Sequence, residues 1–209
     1  EAARFIAREL RDYVRLLSKI LDQTDRRVFK GKKVPADEKV VSIFEPHTDV
    51  IEKGGRETVF GHKVFLAVGC RNLVLDCLIE EGNPADTELF PELLGRHRTF
   101  YRRPPKDVAT DTGFASEANA HCAQKSGVEN VSFGRGRGKK LNELLPEGPL
   151  QKILRRFRAG VEGIISALKR GVGLSRCLWK GWESFRAYVW SAICAHNLKM
   201  LTATMCARN

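Results

Sequence analysis

The chain has 209 residues, 43% of them hydrophobic and 29% charged, a balance that excludes disorder throughout and allows one buried core with an appendage. Its longest apolar runs stay far below the ~20 residues that cross a bilayer, so we expect no membrane partner. The 36 Lys and Arg outnumber the 25 Asp and Glu and give a formal net charge of +11, which favours a nucleic acid partner over a surface that is basic without a role.

The first part of the chain is predicted to be one amphipathic helix followed by strands. Over residues 3–29, apolar side chains recur at helical spacing and form a stripe: Phe5, Leu10, Val14, Leu17 and Leu21. Strand-like segments then follow at residues 40–44, 58–68 and 72–79, with glycine-containing turns between them. This order predicts an antiparallel meander.

The rest of the chain alternates helices with short strands. The predicted elements are a helix over 83–97, a short buried strand that leads into Asp111, a helix over 117–126, a strand over 129–133, a mobile basic loop over 134–140, and helices over 151–170 and 182–205. This order predicts an α/β fold in which helices flank a mixed sheet.

The six cysteines form no CxxC pair and show no metal-like spacing with the five histidines. We therefore expect reduced, mostly buried thiols and no structural zinc site. Such cysteines are typical of an intracellular protein.

The helix predicted over residues 151–170 carries the strongest functional pattern. Its polar positions Arg155, Arg158, Glu162 and Lys169 recur at spacings of three, four and seven residues. At about 100° per residue they fall on one side of a helix. A carboxylate among cations suits a metal ion held beside a phosphate backbone. The alternative is a plain helical ion pair between Glu162 and Arg158, which is compatible with that role.

Asp111 supplies a second candidate ligand where the predicted strand ends. Two-metal phosphoryl transfer needs carboxylates on rigid elements, and we expect Gly113 to leave room there for a substrate backbone. The alternative is a turn aspartate that caps the helix beginning near Ser116. The basic loop is predicted to follow phosphates through Arg135, Arg137, Lys139 and Lys140.

The spacing Arg158-x3-Glu162-x6-Lys169 resembles the Y-R-E-K signature of the DDE transposases of bacterial insertion sequences. The phrases ATDTGFAS, FGHKVFLAV, FEPHTD and GNPADTELFPELL and the ending YVWSAICAHNLKML extend the resemblance over roughly residues 22–205. It implies a ribonuclease-H-like catalytic domain that uses Mg²⁺ or Mn²⁺ to cut and join double-stranded DNA at transposon ends and target. It also implies a homo-oligomer at synapsis and a cytoplasmic location at the bacterial nucleoid.

Carried over to this sequence, the resemblance makes Asp111 the second acid of the Asp-Asp-Glu triad and Glu162 the third, both catalytic and both metal ligands. It gives Arg155, Arg158 and Lys169 a role in DNA binding. One departure is that Arg155 stands where the signature has tyrosine.

The first acid of the triad is the second departure, because no D-x-T-like phrase ends a strand-like run in this chain. The resemblance places this acid upstream of Glu1. Asp49 is the in-chain candidate to replace it as a metal ligand, and ordering of a turn is its alternative role. For His47 and His62 we expect hydrogen-bonded structural roles, with DNA contact as the alternative.

These departures predict that residues 1–30 are the end of a helical insertion and that residues 31–209 are the catalytic core without its first strand. Three functions remain open at this point. The chain is the carboxyl-terminal portion of an active transposase, a non-catalytic DNA-binding remnant of one, or a nuclease of the same fold that does not join strands.

Overall fold

The structure is a computed structural model that describes residues 1–53, 57–82, 84–134, 141 and 148–207, and it consists of helices and short strands. The helices are α1 (Ala2–Thr24), α2 (Asp86–Tyr101), α3 (Glu117–Lys125), α4 (Pro149–Gly171) and α5 (Trp182–Cys206). The strands are β1 (Asp49–Lys53), β2 (Glu57–Gly61), β3 (Val64–Val68), β4 (Val74–Ile79), β5 (Asp107–Ala109) and β6 (Asn130–Ser132). The predicted α/β class is confirmed.

The described strands pair as three two-stranded sheets: β1 with β2, β3 with β4, and β5 with β6. β1 and β2 are antiparallel, with Asp49 opposite Gly61. β5 and β6 are parallel, with Val108 opposite Val131. The single mixed sheet that the sequence predicts is therefore not what the described strands form.

The chain divides into two compact units. The first unit comprises Glu1–Val64, Ile79–Asn83 and Leu178–Ala187, and the second comprises Phe65–Leu78, Pro84–Cys177 and Tyr188–Asn209. The predicted domain boundary after residue 30 stays a prediction. Among the described residues, no helix combines the length and the apolar character that crossing a bilayer requires.

The strand predicted over residues 40–44 is wrong, and a side chain of α1 explains the difference. The Gln23 carboxamide accepts a hydrogen bond from the Val40 amide (3.0 Å) and donates one to the Val40 carbonyl (3.0 Å). The backbone of Val40 thus finds its partners on a helix, so this segment has no need of a neighbouring strand.

The strand predicted over residues 58–68 is two strands in two different sheets. β2 ends at Gly61, whose φ of 148° lies in a region that favours glycine. β3 begins only at Val64 and pairs with β4. Gly61 therefore marks the end of the first of these two strands.

The core beside the candidate site lies in the second unit, between α2, α3 and the β5–β6 pair. Its buried side chains are Phe90, Leu94, Ala120, Ala123, Val128, Val131, Phe133 and Leu141. The rings of Phe90 and Phe133 meet edge to face, with centroids 5.5 Å apart. Ala120 and Ala123 share a face of α3, and their small side chains let that helix approach the larger ones.

The six cysteines are all free, as predicted, but they are not mostly buried. Cys77 is buried, whereas Cys70, Cys194 and Cys206 are exposed. Burial raises the pKa of the Cys77 thiol to about 12, and the neighbouring Asp76 carboxylate adds to the shift.

Candidate functional site

Asp111 follows directly from the β5–β6 ladder. The Thr110 amide still donates to the Ser132 carbonyl (2.8 Å), so the chain is held in strand geometry up to the residue before the acid. Asp111 is then extended, with φ of −69° and ψ of 160°, and begins a 3₁₀ turn over Thr112–Phe114. The Asp111 carboxylate is therefore attached directly after the end of a strand, as the sequence predicts.

The turn after Asp111 is anchored on both of its sides. The Phe114 ring packs against Phe65 (6.1 Å between centroids) and Phe90 (6.4 Å). A Cβ atom added at Gly113 would overlap the Asp86 carboxylate. The space at Gly113 is therefore taken by the Asp86 carboxylate of α2 in this structure. Room for a substrate backbone at Gly113 stays a prediction, and it requires that this side chain move.

The Asn119 side chain links the turn after Asp111 to α2. On α2 it binds a backbone carbonyl that receives no helical hydrogen bond, because a proline stands four residues later. Pro91 lies inside α2 and has no N–H to donate to the Thr87 carbonyl four residues earlier. The buried Asn119 side chain donates to that carbonyl (2.9 Å) and to the Phe114 carbonyl (2.8 Å). One carboxamide therefore joins α2, α3 and the turn after Asp111.

The second acid comes from α4, whose buried face is set by Leu154, Ile164 and Leu168. By helical geometry, the line through Arg158 and Glu162 borders this buried face. The contacts between α4 and β5 bring that line to the strand end that carries Asp111.

Arg158 joins the two acids. Its guanidinium contacts Glu162 Oε1 from Nη1 (2.9 Å) and Asp111 Oδ1 from Nη2. The side chains of Asp111 and Glu162 are 55% and 66% exposed and that of Arg158 is 34% exposed, so solvent reaches all three. The structure therefore brings together two carboxylates that lie 51 residues apart in the sequence.

Of the two structural roles that the sequence offered for these acids, the ion pair of Glu162 is present and the capping role of Asp111 is not. The helical ion pair predicted between Glu162 and Arg158 is present. Asp111 does not cap α3, because the cap of that helix is Ser116, whose hydroxyl accepts from the Asn119 amide (3.0 Å). A role for Asp111 as a capping residue is thus excluded for α3, and its carboxylate binds the arginine of α4.

Of the remaining predicted cations, the structure places two on α4. Arg155 and Lys169 are exposed on α4, one turn before Arg158 and two turns after Glu162. Four other predicted DNA-binding residues lie outside the described residues: Arg135, Arg137, Lys139 and Lys140.

Asp49 lies in the first unit, at the start of β1, within a chain of hydrogen-bonded side chains. Its carboxylate contacts His62 Nδ1 (2.9 Å), His62 Nε2 contacts His47 Nδ1 (2.7 Å), and His47 Nε2 contacts Glu45 (2.8 Å). Glu45 also accepts from the Gly181 amide (3.0 Å) just before α5. The structural role that we expect for both histidines is therefore present in their contacts.

Sequence reasoning did not find this chain of contacts as a unit. Its contacts place the Glu45 and Asp49 carboxylates at the two ends and the two imidazole rings between them. The available signal was that Glu45, His47 and Asp49 lie within five residues of one another. The Thr48 amide donates to the Glu45 carbonyl (3.0 Å), so this segment is a turn.

The donors at Arg158 suit a divalent cation in part. Asp111 and Glu162 offer the carboxylate oxygens that Mg²⁺ and Mn²⁺ prefer, and Mg²⁺ is commonly held by one or two carboxylates together with substrate phosphates and water. Within the described ranges, however, no three His, Cys, Asp or Glu side chains converge on a common metal position. The two acids therefore fit as a partial ligand set.

A carboxylate at a strand end and a second one on a basic helix define, in this mixed α/β protein, a candidate site for phosphoryl transfer. The comparison with protein families agrees in class: the model described as the transposase DDE domain matches residues 19–198, and the chain belongs to that family. Searches of curated proteins and of solved structures gave no match. Membership suggests transposase function, with DNA as a partner in general and a divalent metal as the usual cofactor.

Proposed function

We propose that this chain is the carboxyl-terminal catalytic portion of a bacterial insertion-sequence transposase of the Y-R-E-K type, with a ribonuclease-H-like core. The observation that carries the proposal is the meeting of Asp111 and Glu162 at the Arg158 guanidinium. Two acids from distant parts of the sequence share an exposed position beside a basic helix. Family membership supports the same class of reaction.

The proposed reaction has two steps on DNA. In the first, a water oxygen bonds to phosphorus and the bond from phosphorus to the 3′ oxygen breaks, which frees a 3′-hydroxyl at the transposon end. In the second, the oxygen of that hydroxyl bonds to a target phosphorus while the bond from that phosphorus to the target 3′ oxygen breaks. The strands are thereby joined, and a 3′-hydroxyl is freed on the target. Asp111 and Glu162 would hold Mg²⁺ or Mn²⁺, which when bound supplies Lewis-acid polarisation of the phosphate oxygens and a more acidic water.

The basic residues of this chain would hold the DNA. Arg155, Arg158 and Lys169 lie on the side of α4 that carries Glu162, and guanidinium groups bind phosphate through two parallel hydrogen bonds. The basic residues Arg135, Arg137, Lys139 and Lys140 would add contacts that position the duplex without reading its sequence. A synapsed homo-oligomer acting at the nucleoid completes the proposal.

The test is cleavage and joining of a supercoiled plasmid that carries the genomic DNA flanking the coding region on both sides, in Mg²⁺. We expect Asp111→Asn and Glu162→Gln each to lower the cleavage rate by at least about a hundredfold, because each removes a metal-binding charge. Glu129→Gln is the control, since Glu129 is an exposed acid of the same unit whose carboxylate contacts Lys106 Nζ at 3.7 Å.

Undiminished cleavage by either active-site variant would reject the assignment of that acid. Cleavage without strand joining would leave the acids in place and identify a nuclease of the same fold. The joining assay therefore separates the two enzymes that the sequence cannot tell apart.

A non-catalytic DNA-binding remnant is the second candidate, and one observation favours it. The described residues bring two carboxylates to Arg158, and no third joins them within those ranges. An acid outside the described part of the chain, or Asp49, would have to complete an active triad. A remnant should bind duplex DNA with a steep salt dependence and show no Mg²⁺-dependent nicking. Sustained nicking by the chain with added Mg²⁺ would exclude it.

A further inference from the structure

Arg158 occupies the position between the two candidate metal ligands. One guanidinium nitrogen contacts Asp111 and the other contacts Glu162. One positive charge is thereby shared by two carboxylates that approach from different elements. Any divalent cation that used the same oxygens would lie within a few ångströms of the guanidinium.

The Arg158 guanidinium and a divalent cation would compete for the position between Asp111 and Glu162. Two positive groups at such short distance repel strongly wherever water does not screen them fully. Arg158 contacts Asp111 Oδ1 and Glu162 Oε1, so a cation that bridges the two acids through these oxygens would compete with the guanidinium for them. Arg158 must therefore move before Asp111 and Glu162 can bind a cation together.

A DNA phosphate is an alternative partner for the Arg158 side chain. It is about one-third exposed and lies on the side of α4 that also carries Arg155 and Lys169. A phosphate group offers the planar guanidinium a bidentate partner comparable to the carboxylates it leaves. A DNA backbone along this helix would thus compete with the acids for Arg158.

We propose that Arg158 is a positioning residue that couples DNA binding to metal binding, an inference that rests on the proposed function. Without DNA, its guanidinium neutralises Asp111 and Glu162 and keeps their affinity for divalent cations low. When DNA binds, Arg158 turns to a phosphate and both carboxylates become available to the cation. Coupling of this kind is reciprocal, so the cation also strengthens DNA binding.

The coupling prevents the chain from holding its metal before a substrate is present. An exposed ion pair between Arg158 and the acids contributes little to folding stability, so stability alone does not account for its geometry. The exposure of all three side chains allows the exchange to occur without opening a core.

The test is Mn²⁺ binding by the full chain, measured from the electron paramagnetic resonance signal of free Mn²⁺, with and without duplex DNA. Mn²⁺ bound by the same DNA alone is subtracted. We expect Arg158→Gln to bind Mn²⁺ at least about fivefold more tightly than the unmodified chain when DNA is absent. Added DNA should raise the Mn²⁺ affinity of the unmodified chain and leave that of Arg158→Gln unchanged.

Arg156→Gln is the matched control. It removes the same charge from the same helix, and at about 100° per residue its exposed side chain lies roughly 200° around α4 from Arg158. An equal gain in Mn²⁺ affinity from both variants would show a general charge effect and overturn the inference.

The outcomes separate this inference from the proposed function. If Mn²⁺ binds, requires Asp111 and Glu162, and binds equally well to Arg158→Gln and the unmodified chain, the coupling is wrong while the metal site stands. If no Mn²⁺ binds to either chain with or without DNA, the metal site is wrong and the coupling falls with it.

Discussion

The second unit contains two aspartate–arginine pairs built for different purposes. Asp76, on β4, accepts two hydrogen bonds from Arg96, from Nε (2.6 Å) and from Nη2 (2.7 Å), and a third from the Cys77 amide (2.8 Å). Its side chain is 6% exposed, whereas that of Asp111 is 55% exposed and contacts one nitrogen of an arginine that it shares with Glu162. The buried pair satisfies its own carboxylate fully, and the exposed pair leaves lone pairs available.

This difference shows which acid can take a ligand. The hydrogen bond to Asp76 raises the pKa of the Arg96 guanidinium. Separating the pair would leave the buried Asp76 carboxylate charged, without its partner and shielded from solvent. Separating Asp111 from Arg158 returns both groups to water at little cost. An acid that is already satisfied and buried stabilises the fold, while an acid that can exchange its partner is suited to a reaction.

The largest expected effect is on the stability of the buried pair. Arg96→Gln should lower the free energy of unfolding by about 3 kcal/mol, because the buried Asp76 carboxylate, 6% exposed, keeps its charge and loses its partner. Asp111→Asn should change it by less than about 1 kcal/mol. Urea unfolding followed by circular dichroism measures both. Equal losses from the two variants would show that burial does not distinguish the pairs.

A second prediction concerns the carboxamide that holds the turn beside Asp111. Asn119→Ala should cost about 2 kcal/mol, since it leaves the Thr87 and Phe114 carbonyls without a donor. In a Pro91→Ala background the loss should be about 1 kcal/mol smaller, because residue 91 can then donate to Thr87. Additive effects in this double-mutant cycle would contradict the proposed partnership.

A third prediction uses pH to test the burial of the Cys77 thiol, which follows Asp76 in β4. The folded chain holds the pKa of Cys77 at about 12, above its usual value of 9.0, so between these values the folded chain binds more protons than the unfolded one. Stability is therefore retained below pH 9 and should fall by roughly 1 kcal/mol per pH unit above it. Cys77→Ala should remove this slope relative to the unmodified chain. A slope that persists in the variant would assign it to other groups.

The smallest expected effect is a gain in the stability of α4, the helix that carries Arg158 and Glu162. Within the described residues, a Cβ added at Gly160 or Gly163 would meet no atom within 4 Å beyond the helix's own backbone. Each change to Ala should therefore stabilise α4 by up to about 1 kcal/mol. If these glycines admit a DNA backbone, the same changes should weaken binding to duplex DNA in a gel-shift titration.

The control for the glycine changes is Ala159→Gly, which removes a Cβ from the same helix. It should lower stability and leave DNA affinity nearly as it was. Unchanged DNA affinity in both glycine variants would show that the glycines do not serve substrate approach.

Local patterns in the sequence predicted the helices well. The apolar spacing of α4 and the cap at Ser116 are readable because they involve residues three or four positions apart. The pairing of strands was not readable in the same way. Val40 is strand-like by composition, yet its backbone is bound by Gln23, which lies 17 residues away.

The candidate site was predictable to the same extent. The common face of Arg158 and Glu162 follows from helical periodicity, and the strand end at Asp111 follows from an apolar run that stops at an acid. The neighbour of Gly113 and the hydrogen-bond chain through His47 and His62 required knowledge of contacts between distant segments. No local periodicity encodes such contacts.

The partnership of Pro91 and Asn119 has a consequence for how relatives of this chain can diverge. The two residues lie 28 positions apart, yet one creates the vacant carbonyl that the other occupies. A lineage that keeps the proline should retain an amide donor at position 119, whereas one that loses the proline is released from that constraint. Substitutions at positions 91 and 119 should therefore be correlated among relatives. The proline should be replaced first and the asparagine afterwards.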